Sequence, residues 1–340
     1  MKKHYIFMNQ IIYLNGEIMK KAKIHIDKKK FKENYNYYAN GKNNIIFVVK
    51  SNGYGCDINK ITHLLLNEGA NYFAVFTIKE ALKIRKISSN STILILNSIE
   101  EKDIHICEKN NFTVTINTLD DYLLLKKTNL SVHIKIDTGL HRLGLYKEEF
   151  DIVFNDKSLN IKGIFSHLVG GKENIEYLTK QIETFDNIIS HIDYDKYLIH
   201  ICSSSSFNLV KSKYQNTVRI GMGIYGFSSF LNPCISLSLP IISKKEIKKN
   251  EYCSYDCSFK TSEDGFLYVI PIGYSNWLSP IIKLNYNGFE VAGKICMNTT
   301  ILFSKNDYKR KVITLNGYDL INICNYNNIS IYWLLSSFSS

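Results

Sequence analysis

The sequence contains no run of 18 or more uncharged apolar residues, the length that a membrane-spanning helix needs. Its first 20 residues mix charged side chains with short apolar runs, which is not the composition of a secretory signal peptide. The eight cysteines are scattered, without a Cys-x-x-Cys pair or histidines at zinc-ligand spacing. These absences predict a cytoplasmic protein that keeps its thiols reduced and binds no metal.

The sequence also lacks a basic stripe interleaved with aromatic residues, although its formal net charge is +11. The surplus comes from 42 Lys and Arg residues against 31 Asp and Glu residues, and the lysines are dispersed along the chain. A dispersed surplus does not indicate nucleic-acid binding. We therefore expect neither a nucleic acid nor a membrane as a partner.

What the sequence does contain is a series of apolar, β-rich runs that alternate with helix-like stretches over residues 22–232. Eight such runs predict an α/β fold, a (β/α)8 TIM barrel, with functional groups where the strands end. Short runs without clear long helices predict a mostly antiparallel β domain over residues 233–340, joined by an N-terminal strand near residues 20–27. Met19 directly precedes that strand, so translation starts at either Met1 or Met19. The predicted barrel strands are residues 45–49, 72–77, 92–97, 112–117, 132–138, 161–168, 198–203 and 218–225.

Lys50 stands at the end of the first barrel strand, directly after five apolar residues. An ammonium group at the edge of a dry core is costly, but desolvation lowers its pKa and makes the amine a nucleophile toward aldehydes. Alternatively, the side chain extends from the strand end into water. Gly53 and Gly55 permit a tight backbone turn after the lysine. This stretch alone does not decide between the two interpretations.

The loop after the last predicted barrel strand carries glycine at residues 221 and 223. TIM barrels commonly bind phosphate at this position through backbone N–H groups. Hydroxyl groups of Tyr54 and Ser204, which also follow predicted strands, complete a possible phosphate site. A lysine that faces a phosphate site suggests pyridoxal 5′-phosphate (PLP), held as a Schiff base.

Residues 48–55, VVKSNGYG, resemble the PLP-lysine motif of the alanine racemase family. Residues 135–144, KIDTGLHRLG, and 218–226, VRIGMGIYG, are similar to the family patterns K-x-D-T-G-x-x-R-x-G and R-x-G-x-x-x-Y-G. Six blocks in the same order, spread from about residue 23 to residue 332, leave little room for a chance match. The remaining three blocks are residues 254–255, 270–274 and 293–297.

The resemblance implies two catalytic bases on opposite faces of the substrate Cα. Lys50 would hold PLP and act on one face, and Tyr255, contributed by the partner subunit of a homodimer, would act on the other. A racemase needs this arrangement because it removes a proton from one side and returns one from the other.

The resemblance also implies how the cofactor is held. Arg219 would face the pyridine nitrogen, where its permanent charge cannot be handed over as a proton. The full set of implied cofactor-binding residues is Lys50, Tyr54, His167, Ser204, Arg219, Gly221, Met222 and Tyr332.

For the substrate, the family implies that Arg142 binds the carboxylate and that Lys135, if carbamylated, positions Arg142. Met297 would line the pocket from the partner side, and Tyr274 its entrance. From sequence alone, Met297 could equally be a core methionine. His167 is ambiguous in the same way, because an imidazole beside a barrel strand is often a structural group.

Several positions depart from the family pattern. Ser203 stands where asparagine is usual, and Cys56 where histidine is usual. Residues 276–277, Asn276 and Trp277, replace Asp-Gly, and Asn298 replaces an aspartate. The loss of acids near the entrance is expected to change how charged amino acids are steered.

We therefore expect an alanine racemase that interconverts L- and D-alanine and supplies D-alanine for peptidoglycan. One alternative is a racemase of the same fold with broader specificity, acting on serine or basic amino acids. Another is a PLP-binding protein without turnover, which the presence of Tyr255 and of a whole second domain disfavours.

Overall fold

The computed structural model describes residues 13–14, 17–18, 21–41, 44–170, 174–228, 230–276, 282–283, 285–286 and 288–336. Met1, Met19 and Trp277 lie outside these ranges. The chain divides into two units, Lys28–Asn232 and Met1–Asp27 together with Pro233–Ser340. Three strands precede the first helix, namely β1 (Tyr13–Leu14), β2 (Glu17–Ile18) and β3 (Lys23–Ile26).

The unit Lys28–Asn232 is built on eight parallel strands in the circular order expected for a barrel. The last strand pairs with the first, and the seventh approaches the eighth through a bridge between Ser203 and Arg219. The prediction of a (β/α)8 barrel is thus confirmed, with a nearly closed sheet. The strands are β4 (Asn44–Val48), β5 (Tyr72–Val75), β6 (Thr92–Ile95), β7 (Thr113–Ile116), β8 (Ser131–Lys135), β9 (Asn160–Phe165), β10 (Leu198–His200) and β11 (Thr217–Ile220).

Helices follow the strands and bury one apolar face each. Two of them begin with capping boxes, at Thr77 with Glu80 and at Thr118 with Asp121, in which side chains satisfy the first free N–H groups. The helices are α1 (Lys28–Ala39), α2 (Lys50–Tyr54), α3 (Ile58–Asn67), α4 (Ile78–Ile87), α5 (Ile104–Lys109), α6 (Leu119–Leu125), α7 (Lys147–Asn155) and α8 (Ile175–Ile189).

Most barrel strands end two or three residues earlier than predicted. The predicted strand 218–225 ends five residues early, at Ile220, and residues Met222–Tyr225 form a 3-10 turn. All four residues of β11 are buried, as are Ile46 and Phe47 of the neighbouring β4, which is typical of parallel strands covered on both faces. The shortened ends release polar residues into loops at the carboxyl edge of the sheet, where barrel enzymes place their chemistry.

The second unit is mostly antiparallel, as predicted. One sheet has the order β20-β12-β3, so the N-terminal strand belongs to this unit, and a second has the order β13-β16-β19-β18-β17. The strands are β12 (Ile235–Pro240), β13 (Ser243–Ile247), β14 (Tyr252–Cys253), β15 (Phe259–Lys260), β16 (Gly265–Ile270), β17 (Asn285–Tyr286), β18 (Phe289–Val291), β19 (Thr300–Ser304) and β20 (Val312–Asn316).

The prediction of short runs without clear long helices does not hold after β20. The structure contains α9 (Gly317–Asn327) and α10 (Ile331–Ser336). Asn316 caps α9 by accepting hydrogen bonds from the N–H groups of Tyr318 and Asp319, a start signal that the many asparagines of this chain conceal.

In the part of the chain that the structure describes, no helix has both the length and the apolar character to cross a membrane. No cluster of three or more His, Cys, Asp or Glu side chains suited to a metal ion is present in those same ranges.

Candidate active site

Lys50 opens the short segment α2, two residues beyond the end of β4, and is half-buried at the carboxyl edge of the barrel. Burial lowers the pKa of its ammonium group, and the positive charge of Arg142 lowers it further, against the opposing effect of Glu80. The Phe76 ring lies 5.9 Å from Lys50 Nζ. A lysine with these neighbours releases its proton more readily than one in water.

The backbone after Lys50 forms one left-handed turn. Ser51, Asn52 and Tyr54 each have φ of 54°, and Gly53 has φ of 66°. Left-handed geometry costs about 1–2 kcal/mol for each residue that is not glycine, so the turn needs outside support. The Asn52 N–H donates to Glu80 Oε1 at 3.1 Å, and the Tyr225 hydroxyl donates to the Gly53 carbonyl at 2.7 Å.

This turn carries Tyr54 to the loop after β11. A Cβ atom on Gly221 would lie 2.4 Å from Tyr54 Oη, so a larger residue there would displace the Tyr54 hydroxyl group. Ser204 Oγ accepts hydrogen bonds from the N–H groups of Gly221 at 3.0 Å and Gly223 at 3.1 Å, and Met222 is buried between them. The hydroxyl groups of Tyr54 and Ser204 and these two N–H groups, which donate to Ser204 Oγ here, are donors of the kind that bind phosphate, and we call this group the phosphate cradle.

Arg219, in β11, is almost fully buried and is held through both terminal nitrogens. One donates to the carbonyl of His200 at 2.6 Å and to His200 Nδ1 at 2.7 Å. The other donates to the carbonyls of Ser166 at 2.7 Å and Ile201 at 3.2 Å, and to His167 Nδ1 at 3.3 Å. Among the described residues, this leaves the Nε–H as the guanidinium donor that no protein atom occupies.

None of these partners of Arg219 is a carboxylate. Burial lowers the pKa of Arg219 to about 10, so the guanidinium stays charged at neutral pH. Burial, and then the charge of Arg219, lower the pKa of His167 to about 3. Burial, and then the charge of Arg219, also hold the pKa of His200 well below its usual value, so both histidines beside Arg219 are neutral.

Lys135, the last residue of β8, adds a second buried cation. Burial, followed by the charge of Arg142, lowers its pKa to about 8, while Asp137 raises it slightly. Asp137 Oδ1 accepts the N–H groups of Gly139 at 2.9 Å and His141 at 3.1 Å, and so shapes the loop that leads to Arg142, which is itself exposed. The barrel mouth thus gathers more positive than negative side chains and suits an anionic ligand.

The second unit places Tyr255, Tyr274 and Met297 on three loops. All three side chains are exposed, Tyr255 at 66%, Met297 at 55% and Tyr274 at 46%. A core side chain is buried, whereas Met297 is more than half exposed. The alternative of a core methionine at Met297 is therefore wrong.

Hydrogen bonds join these loops to one another. The Tyr274 N–H donates to the carbonyl of Cys296 at 3.1 Å, and the Ser275 N–H donates to that of Met297 at 2.8 Å. Ser254 Oγ donates to the carbonyl of Lys294 at 2.9 Å, which ties the Tyr255 loop to the same segment. We call Tyr255, Tyr274 and Met297, with these loops, the three-loop surface.

Tyr332 and the residues that depart from the family pattern differ in burial and in hydrogen-bond partners. Tyr332 is in α10, with a pKa raised by burial. Ser203 Oγ shares a hydrogen bond with Ser205 Oγ at 3.0 Å. Asn276 Oδ1 accepts the Gly273 N–H at 3.3 Å, and Asn298 Oδ1 accepts the Ser275 hydroxyl at 2.5 Å. Cys56 is buried.

Sequence reasoning missed Glu80, which supports the left-handed turn, and His200, which binds Arg219. His200 did leave a signal, since it is the polar residue in the otherwise apolar strand β10. A polar side chain inside a doubly buried strand needs a hydrogen-bonding partner, which here is the arginine of the adjoining strand.

An eight-stranded barrel with a lysine, a phosphate cradle and a buried arginine at one edge, together with an antiparallel β unit, defines the fold type III class of PLP enzymes. Residues 26–229 match the family model of the alanine racemase N-terminal domain, and residues 234–329 match that of the alanine racemase C-terminal domain. The chain belongs to the alanine racemase family, whose members are PLP-dependent isomerases.

Individual relatives support the same family assignment. The alanine racemase of Fusobacterium nucleatum is 28% identical over 332 residues, which cover 91% of this chain and 93% of the relative. The crystal structure of alanine racemase from Bacillus anthracis with bound L-Ala-P has a TM-score of 0.84 at 21% identity, covering 95% and 94% of the two chains. A histidine racemase from Leuconostoc mesenteroides has a TM-score of 0.79 at 19% identity, covering 93% and 95%. At such identities these two structures establish the fold, and the fold is shared by racemases of different substrates.

Proposed function

We propose that this protein is an alanine racemase that interconverts L- and D-alanine through two bases, Lys50 and Tyr255, and supplies D-alanine for peptidoglycan. The observation that carries the proposal lies in the barrel. Lys50, with a lowered pKa, follows β4 at the carboxyl edge of the barrel, and the phosphate cradle and the buried Arg219, which has no carboxylate among its hydrogen-bond partners, belong to the adjoining strand β11 and its loop. When bound, PLP supplies the electron sink for the electron pair left when the substrate Cα–H bond breaks.

Lys50 would hold the cofactor covalently and then move a proton at one face of Cα. Its lowered pKa favours this role because a base must be neutral to accept a proton. Tyr54, Ser204, Gly221 and Met222 would bind the phosphate group through the cradle, and Tyr332 would add a hydroxyl group.

Arg219 would donate its Nε–H to the pyridine nitrogen, with His167 alongside. Because arginine holds its proton, it cannot transfer one to the ring, which remains a weaker electron sink. A weaker sink limits side reactions such as transamination. His200 and His167, the two histidines that contact Arg219, are neutral. The hydrogen-bonding partners of Arg219 therefore include no stronger acid than Arg219 itself.

Arg142 would bind the substrate carboxylate. Lys135, with a pKa of about 8, is a suitable site for carbamylation, since carbon dioxide adds to a neutral amine. The product carries a negative charge, which would pair with Arg142 in place of the like charge of an ammonium.

Tyr255 would reach the second face of Cα from the partner subunit of a homodimer. The exposure of Tyr255, Met297 and Tyr274 on joined loops supports this role, because a surface of this kind is suited to cover another surface. Met297 would line the substrate pocket and Tyr274 its entrance.

The direct test is to incubate the PLP-loaded enzyme with a panel of single L-amino acids and to separate the products by chiral chromatography. We expect D-alanine to form fastest. Faster formation of D-serine, or of a basic D-amino acid, would instead support the broader racemase, a candidate favoured by the neutral Asn276 and Asn298 and by the histidine racemase fold match. PLP binding without any racemisation would support the non-catalytic alternative.

A further inference from the structure

A chain of hydrogen bonds runs from Arg219 across the barrel interior. Arg219 binds His200 Nδ1 at 2.7 Å, His200 Nε2 binds His133 Nδ1 at 2.8 Å, and His133 Nε2 binds the Tyr72 hydroxyl at 2.9 Å. Both imidazoles are fully buried, on β10 and β8. We call Tyr72, His133 and His200 the imidazole chain.

The polarity of the imidazole chain follows from its first member. A guanidinium group can only donate, so His200 Nδ1 must be an acceptor without a proton. A neutral His200 then carries its proton on Nε2 and donates it to His133 Nδ1. His133 in turn carries its proton on Nε2 and donates it to Tyr72 Oη. If the hydrogen bonds ran in the opposite direction, His200 would carry its proton on Nδ1. That N–H would then face an N–H of Arg219 at 2.7 Å, with no acceptor between the two donors.

We propose that His133, supported by Tyr72, is a positioning residue for Arg219. By accepting the Nε2 proton of His200, it fixes that ring as a single tautomer, and the lone pair on His200 Nδ1 always faces the guanidinium group. Arg219 is thereby held in one plane with its Nε–H directed away from the protein acceptors. This inference rests on the proposed function only for its link to racemisation.

Shape supports the same assignment. A Cβ atom on Gly163 would lie 2.5 to 2.8 Å from three atoms of the His133 ring. The absence of a side chain at Gly163, in the neighbouring strand β9, therefore leaves space for the imidazole. His200 stacks on Phe165, with ring centroids 4.7 Å apart and an angle of 11° between the planes. Burial, and then the charge of Arg219, also lower the pKa of His133 to about 3, so the chain contains no competing cation.

The first test uses the apo-protein and needs no activity. With 15N-labelled histidine, solid-state NMR distinguishes the two neutral tautomers and the cation of each ring. We expect His133 and His200 both as neutral Nε2–H tautomers, assigned by the signals lost in His133→Phe and His200→Phe. A neutral Nδ1–H form or a cation at either position would overturn the proposal, whether or not the protein racemises alanine.

The second test measures racemisation by the loaded enzyme. We expect His133→Phe to lower kcat by roughly fivefold, about the effect of one hydrogen bond between neutral groups, while KM changes by about twofold or less. His133→Asn retains an acceptor near the Nδ1 position and should recover part of the loss. Gly163→Ala should act in the same direction as His133→Phe by displacing the ring.

Controls separate positioning from general damage. His63, on the exposed face of α3, provides a matched substitution, and His63→Phe should leave kcat unchanged. If His133→Phe does not fold, Tyr72→Phe removes only the last hydroxyl group and should lower kcat by about twofold. Equal losses in His133→Asn and His133→Phe, at equal thermal stability, or wild-type kcat in all variants of the imidazole chain, would contradict the proposal.

Discussion

The barrel mouth and the three-loop surface hold the two proposed catalytic bases, Lys50 and Tyr255, in opposite ways. Around Lys50, cations are buried, hydrogen bonds are dense and the backbone is held in a costly left-handed turn. Around Tyr255, the aromatic and apolar side chains are exposed, and backbone hydrogen bonds fix the loops but not the side chains. The barrel side chains are therefore held in place by hydrogen bonds within one chain, whereas the side chain of Tyr255 is exposed in the single chain.

The largest effects are expected when each proposed base is replaced in turn, because Lys50 also holds the cofactor and Tyr255 does not. Lys50→Ala should abolish both the visible absorbance of lysine-bound PLP and racemisation, the latter by about 10⁴-fold or more. Tyr255→Phe should reduce racemisation by roughly 10²- to 10⁴-fold but leave the absorbance intact, because it removes a base that does not hold the cofactor. Absorbance spectra and chiral assays on the same preparations check both. Unchanged racemisation in Tyr255→Phe would show that the tyrosine is not the second base.

If each active site combines Lys50 of one subunit with Tyr255 of its partner, inactive variants should complement each other. Lys50→Ala and Tyr255→Phe are each expected to have little activity alone, but a mixed dimer would contain one site with both native residues if sites are shared. Mixing the unfolded variants and refolding them should restore about a quarter of wild-type activity, since half of the dimers are mixed and each has one intact site. If each site lay within one chain, mixing would restore nothing. Mixing Lys50→Ala with itself is the control.

These two regions also differ in how far the sequence predicts them. The barrel follows from the alternation of apolar runs with helix-like stretches, and the confirmed fold shows that this signal is strong, although most strands end earlier than their apolar runs suggest. The left-handed turn at Ser51–Tyr54 could not be predicted, because serine and tyrosine do not favour that geometry and Glu80, which supports it, is distant in sequence. The pairing of His133 with His200 was invisible for a similar reason, as it depends on which strands become neighbours.

A smaller effect concerns the buried charge of Lys135. Its amine is mostly protonated below a pKa of about 8 and mostly neutral above it. Carbamylation should therefore rise with pH through this range at constant dissolved carbon dioxide. A 13C-bicarbonate NMR experiment should show a carbamate signal that grows with pH and is absent from Lys135→Met, with exposed Lys102→Met as the matched control. A signal that persists in Lys135→Met would assign the carbamate to another lysine.

The smallest effect belongs to the three-loop surface, where Asn298 accepts the Ser275 hydroxyl at 2.5 Å. Asn298→Asp keeps an acceptor oxygen at this position and adds one negative charge. Because opposite charges attract at long range, kcat/KM should rise about two- to threefold for a cationic amino acid relative to alanine at low salt. The gain should disappear at high ionic strength, where exposed charges are screened. Asn306→Asp supplies the same charge outside this surface, and an equal gain there would attribute the effect to net charge, whereas a gain confined to Asn298→Asp would place Asn298 on the path by which substrate enters.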